Sequence, residues 1–250
     1  MKKEKIAISL DKELLSLLDS KVDREIIRSR SQAIEIYLKR GLREGGVSTA
    51  VLLLKGNHQR FAIRKIDQEV LIRKQARFFA MQGIKQIHLV TQHSPYLVQL
   101  TEEIKDAEIP VNIFEKEVKG NAQAMYALKN ILREPFIVMS GDTYNEFDLK
   151  QMIKKHQESG KIATMGLMIR EKPGEFGNVI LDGDLIVDFE EKPKKLKSFI
   201  VNAGIYIFQP SVFEYVSEKI TSLEKDLFPV LAKNHQLVGF FTHGIYQHFS

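Results

Sequence analysis

No cysteine occurs in the 250 residues, which excludes disulfides and thiolate metal sites and suits a reducing compartment. No stretch approaches the roughly 18 consecutive apolar residues of a membrane span. The N-terminal Met-Lys-Lys-Glu-Lys leads into an alternating segment instead of the apolar block of a signal peptide, so the expected location is the cytoplasm, with no membrane partner. The seven histidines show no metal-ligand spacing. Neither sign of charge dominates: the net charge is +5, and residues 1–46 hold 11 Lys+Arg against 8 Asp+Glu. That asymmetry permits an anionic partner for the N-terminal piece without demanding one.

What is present divides at Gly45-Gly46, predicting a domain over 1–46 and another over 47–250. In the first, Lys5 to Leu10 alternates at period two, placing Ile6, Ile8 and Leu10 on one strand face and Lys5, Ala7 and Ser9 on the other, with Lys3 continuing the outward face. Asp11 offers an N-cap to a helix carrying Leu14, Leu15, Leu17 and Leu18, and Ser29-Arg30-Ser31-Gln32 has capping-box spacing for a second helix. A strand and two helices of this size cannot enclose a core alone, so the unit is expected to form a homodimer or a higher even oligomer. The order closely resembles a ribbon-helix-helix DNA-binding domain. That resemblance implies double-stranded DNA as partner, with Lys3, Lys5, Ala7 and Ser9 toward base edges and Ser29, Arg30 and Ser31 on the phosphate backbone.

From residue 47 the pattern alternates strand and helix. Ala50–Leu54, Ile87–Thr91, Val111–Phe114 and Pro135–Ser140 read as strands, and segments near 71–84, 95–105 and 122–132 read as helices. This predicts an α/β fold with a largely parallel sheet covered on both faces.

Six short elements then carry a second resemblance. The loop Lys55-Gly56-Asn57-His58-Gln59-Arg60 follows the first strand, Gly120-Asn121-Ala122-Gln123-Ala124 opens a helix, and Gly141-Asp142 ends a strand. Glu175-Phe176-Gly177-Asn178-Val179 and Glu190-Glu191-Lys192-Pro193 flank a hairpin, and Asn202-Ala203-Gly204-Ile205-Tyr206 follows. In this order they resemble sugar-phosphate nucleotidyltransferases, implying a Rossmann-like (GT-A-like) domain with a mixed, mostly parallel sheet. By that resemblance Gly56, Arg60, Gly120 and Gln123 would meet the nucleotide, Asp142 would ligate Mg²⁺, and Gly177, Glu191, Lys192 and Asn202 would meet a sugar phosphate.

The pattern also departs from the family. Lys55 and His58 stand where the loop has glycines, only Lys65 remains of a Pro-Lys-Pro segment, and His248 replaces a second Mg²⁺-binding aspartate. With the sugar half complete and the triphosphate half reduced, the expectation is a DNA-binding transcriptional regulator whose large domain binds a sugar phosphate, nucleotide sugar or nucleotide as effector without turnover. The alternative is an active sugar-1-phosphate nucleotidyltransferase in which Arg60, Asp142 and Lys192 suffice, with Mg²⁺ as cofactor.

Overall fold

The computed structural model describes residues 6–23, 27–43, 46–241 and 245–249. Two compact units divide the chain, Met1–Gly45 and Gly46–Ser250.

In the first unit, α1 (Lys12–Ser20) starts where the Asp11 carboxylate accepts from the Leu14 backbone N–H at 2.7 Å. In α2 (Arg30–Arg43), the Ser29 hydroxyl accepts from the Gln32 N–H and the Gln32 side chain accepts from the Arg28 N–H. Over the described residues 6–10 the expected N-terminal strand is not seen. Residues 6–10 have no strand partner among the described residues, and Ile6 and Ile8 are exposed, so no ladder offsets the ordering of that segment. Lys3 and Lys5 lie outside the described residues.

The second unit begins with β1 (Thr49–Leu54), a short 3₁₀ turn (Gly56–His58) and α3 (Gln59–Ala62). A hairpin follows, β2 (Lys65–Ile66) and β3 (Glu69–Val70), turning on Asp67 and Gln68, both at positive φ. Next come α4 (Leu71–Met81), β4 (Gln86–Thr91), α5 (Leu97–Glu103), β5 (Val111–Glu115), α6 (Asn121–Tyr126), β6 (Phe136–Ser140) and β7 (Thr143–Asn145). The remainder is α7 (Leu149–Ser159), β8 (Ala163–Ile169), β9 (Gly177–Asp182), β10 (Leu185–Glu191), β11 (Ile200–Phe208), α8 (Phe228–Lys233), β12 (Leu237–Phe241) and β13 (Tyr246–His248). A single π-helical turn, Leu223–Leu227, leads into α8.

Nine strands form one sheet in the order β5-β4-β1-β6-β11-β8-β12-β10-β9. β5, β4, β1 and β6 run parallel, and β12 is parallel to β8; the other neighbours are antiparallel. The sheet is therefore mixed, with a smaller parallel share than alternation alone suggests, because β9 and β10 close as a direct hairpin without a crossover helix.

Period two sorts the core. Ala50, Leu52 and Leu54 face a layer built from α4 and α7, including Leu71, Phe79, Leu149 and Met152. Val51 and Leu53 face the other layer, with Met125 of α6 and Phe228 and Leu231 of α8. Burying each of the Val, Leu, Phe and Met side chains among these stabilises the fold by about 1.5–3 kcal/mol. Both faces of the sheet are thereby covered, which leaves the C-terminal strand ends as the open edge, where such sheets bind ligands. No helix among the described residues is long and apolar enough to cross a membrane.

Candidate functional site

A cavity of about 1120 Å³ opens at the C-terminal ends of β1, β4 and β6. It gathers six of the nine ligand positions expected from the sequence: Gly120, Asp142, Gly177, Glu191, Lys192 and Asn202. These come from segments up to 82 residues apart, brought together by the strand order.

Asp142 is buried just beyond β6. Its Oδ1 accepts from the Ser140 hydroxyl at 2.5 Å, and its Oδ2 lies 2.6 Å from His58 Nδ1 and 3.7 Å from His248 Nε2. An ionised carboxylate only accepts, so the short contact places a proton on His58 Nδ1. Phe249 donates its backbone N–H to the Asp142 carbonyl, tying the C-terminal segment to the same spot. Both residues that replace family glycine and aspartate thus converge on one carboxylate.

Three expected ligand residues are not brought to the cavity wall. Arg60 is exposed and its guanidinium stacks over the neighbouring Phe61 ring at 4.7 Å. Gly56 is buried and its N–H donates to the Gln92 side chain at 3.3 Å. The Gln123 amide donates to the Glu218 carbonyl and accepts from the Lys119 N–H, so its polar groups are engaged by the chain itself. Lys55 and His58 line the cavity in their place, and Lys65 is exposed on β2.

On the sugar side, Glu191 ends β10 and its carboxylate lies across Gly177, where a Cβ would sit 2.9 Å from Glu191 Oε2 and 2.5 Å from the Phe189 ring. Burial pushes the Glu191 carboxyl above its ordinary value, and the Glu224 charge adds to this against the opposing pull of Lys192 and Lys225. Lys192 holds a positive φ of 48° directly before Pro193, a conformation that costs energy for a side-chain-bearing residue. Asn202 is buried, donating to the Tyr206 hydroxyl at 2.7 Å and accepting from the Gly204 N–H at 2.8 Å across an irregularity in β11. Burial lifts the Tyr206 phenol well above its usual range, keeping it neutral.

Sequence reading did not single out Asn121, Tyr206, Glu224 or Tyr246 as site residues, yet all four line the cavity. Asn121 and Tyr206 lie inside quoted motifs, and Glu224 opens the segment Leu223–Pro229 that resembles the family helix after Asn202–Tyr206, so their positions carried a signal; the pairing of Glu224 with Asn121, 103 residues away, did not.

In the N-terminal unit, Arg30 is paired within the chain. Its guanidinium forms a two-point ion pair with Asp19, Nε and Nη2 each at 2.7 Å. The Ser29 hydroxyl caps α2, Ser31 is exposed at its first turn, and Ala7 and Ser9 are exposed outside any strand.

The fold and cavity define a Rossmann-like α/β domain with a cleft lined by carboxylates, amides and lysines. The sequence model described as "Nucleotidyl transferase" matches residues 45–245, and the chain belongs to that family. It is 34% identical over 162 residues to the mannose-1-phosphate guanylyltransferase catalytic subunit beta of Drosophila pseudoobscura pseudoobscura, a match covering 62% of this chain and 44% of that protein. The chain spans about half the length of the curated relatives it matches. Among solved structures, HddC from Yersinia pseudotuberculosis superposes with a TM-score of 0.67 at 20% identity, over 81% of this chain and 93% of that one. A UDP-glucose pyrophosphorylase complexed with UDP-glucose superposes with a TM-score of 0.65 at 18% identity, over 80% and 92%. At such identity these likenesses show the fold.

These findings correct the regulator reading. The match is to nucleotidyl transferases, the relatives are guanylyltransferases, and neither the ribbon-helix-helix resemblance nor the DNA partner is sustained. The expectation of an effector domain without turnover is overturned by the same relatives.

Proposed function

We propose that this protein is an active sugar-1-phosphate nucleotidyltransferase, joining a sugar 1-phosphate to a nucleoside monophosphate unit of an NTP with release of pyrophosphate. The observation that carries the reading is the meeting of Asp142, Glu191, Lys192 and Asn202 in one cavity at the strand ends. GTP and mannose 1-phosphate are the first pair to test, because the matched relatives are mannose-1-phosphate guanylyltransferases.

In this reaction a phosphate oxygen of the sugar phosphate forms a bond to the α-phosphorus, and the bond from that phosphorus to the bridging oxygen breaks, the electron pair leaving with pyrophosphate. Phosphoryl transfer asks the protein chiefly for positioning and charge neutralisation. Lys192 supplies a cation for the sugar phosphate, Glu191 accepts sugar hydroxyls, and Gly177 leaves room for the ring. Lys55 and Lys119, also on the cavity wall, supply positive charge on the nucleotide side.

The residues present meet the minimum for Mg²⁺, which is commonly held by one or two carboxylates together with substrate phosphates. Among the described residues no three His, Cys, Asp or Glu form a metal-holding group, so Asp142 would be the protein's oxygen donor. Bound there, the ion would neutralise phosphate charge.

The test is pyrophosphate release from each NTP with a panel of sugar 1-phosphates, with Asp142→Ala as control. Turnover that Asp142→Ala reduces by two orders of magnitude or more is the expected result; no release from any pair by the folded 250-residue chain would overturn the proposal.

A further inference from the structure

The opening of α6 is laid directly on the segment that precedes α8. Asn121 Nδ2 donates to both Glu224 carboxylate oxygens at 3.0 and 2.9 Å, and Asn121 Oδ1 accepts from the Leu223 N–H at 2.9 Å. The Ala122 N–H reaches the Thr221 carbonyl, and the Ser222 hydroxyl donates to Glu224 Oε2 at 3.0 Å. Asn121 and Glu224 both line the cavity, together with Glu191 and Tyr206.

A merely structural pin would not need a carboxylate here. Placing Glu224 near enough to Glu191 to raise that group's affinity for a proton costs energy, because like charges share a poorly solvated site. The cost is recovered by a ligand that donates to both. A carboxylate offers about four acceptor positions, and Asn121 and Ser222 occupy only part of Glu224's set. The remaining capacity suits hydroxyl donors, and the paired negative charge repels a ligand carrying its own carboxylate.

We propose that Glu224 is a specificity-determining residue that accepts sugar hydroxyls beside Glu191, that Asn121 is the positioning residue that aims it, and that the pair selects neutral hexose 1-phosphates against uronic acid 1-phosphates. This rests on the nucleotidyltransferase reading of the site. Asn121 also acts across the cavity, since it belongs to the helix following the expected nucleotide residue Gly120 and yet orients a group on the sugar side.

The experiment compares wild type with the near-isosteric Glu224→Gln, with Glu224→Ala and with Asn121→Ala. Calorimetry with mannose 1-phosphate and glucuronic acid 1-phosphate is run alongside steady-state KM values for sugar phosphate and NTP. Glu224→Ala should weaken mannose 1-phosphate about tenfold or more, as expected for lost hydrogen bonds to a charged acceptor. Asn121→Ala should act in the same direction and less strongly, both leaving KM for the NTP within about twofold. Glu224→Gln should narrow the preference over the uronic acid. A rise in NTP KM alone, or unchanged sugar binding in the folded Glu224→Gln protein, overturns the proposal. If wild type binds hexose 1-phosphate in a Glu224-dependent way and releases no pyrophosphate from any pair, the catalytic reading fails while the role of Glu224 stands.

Discussion

His58 Nδ1 and Asp142 Oδ2 lie 2.6 Å apart, joining the loop after β1 to the end of the adjacent β6 at the cavity wall. The contact makes the histidine a neighbour that a divalent cation must contend with, since Ser140 already takes Oδ1. Replacing it with the glycine of the family pattern releases Oδ2. His58→Gly is therefore expected to tighten Mn²⁺ binding in the presence of nucleotide several-fold, measured by electron paramagnetic resonance of free Mn²⁺. Unchanged or weaker binding would mean that the imidazole assists the ion or orders the loop for it.

Glu191 gives a second prediction, in which stability and binding move oppositely. Its carboxyl is raised by burial first and by Glu224 second, so the folded protein holds this proton more tightly than the unfolded chain. The stability it contributes is present below the ordinary carboxyl value of 4.5 and is lost as pH rises through the raised one. At neutral pH the ionised group is a net cost. Glu191→Gln should then raise Tm at pH 7 by a few degrees, with the gain fading toward pH 4, while KM for the sugar phosphate increases. Thermal melts across that range check the first part; a lower Tm at pH 7 would show that the carboxylate stabilises the fold.

His156 predicts acid sensitivity far from the cavity. Fully buried on α7, it lies 2.8 Å from Thr164 Oγ1 through Nδ1 and 3.0 Å from the Gln209 amide nitrogen through Nε2, an arrangement that fits the neutral ring. Burial lowers its pKa from 6.5 to about 4. A depressed pKa means that the unfolded chain binds the proton first, so stability is full above about 6.5 and falls as pH drops toward 4. The loss is on the order of 3 kcal/mol. His156→Leu should lower stability at pH 7, where Thr164 and Gln209 lose their partner, and should flatten the decline between pH 6.5 and 4. Urea unfolding at several pH values measures both, and an undiminished slope in the variant would assign the acid sensitivity elsewhere.

The parts legible in the sequence are those governed by short periods. The apolar runs at 50–54, 87–91 and 135–140 became parallel strands because their length and bounding residues leave few other ways to bury them. Asp142, Glu191, Lys192 and Asn202 could be read because each sits at a strand end or turn marked by its neighbours. Arg60 lies off the cavity wall for a local reason. With glycines replaced by Lys55 and His58, residues 56–62 wind into consecutive helical turns, and the guanidinium settles on Phe61. The ion pair of Arg30 with Asp19 and the pairing of Asn121 with Glu224 depend on contacts 11 and 103 residues apart, which no local spacing reports.

Gly120 shows how a motif glycine can serve the chain. Read from sequence, it gives the nucleotide close access; in the structure it lines the cavity while its open side faces Thr221, where a Cβ would stand 2.1 Å from the carbonyl oxygen. That oxygen is backbone and already accepts from the Ala122 N–H, so it cannot swing aside as a side-chain tip would. Gly120→Ala must therefore push α6 away from residues 221–224, loosening the Asn121–Glu224 contact along with the packing. The expected cost is about 1–3 kcal/mol of stability, typical of overpacking. Sugar phosphate KM should rise with it, because Glu224 loses its orienting amide. Chemical denaturation and paired KM measurements separate the two roles: full stability with only the NTP KM raised would assign Gly120 to nucleotide access and not to the seam between α6 and the turn before α8.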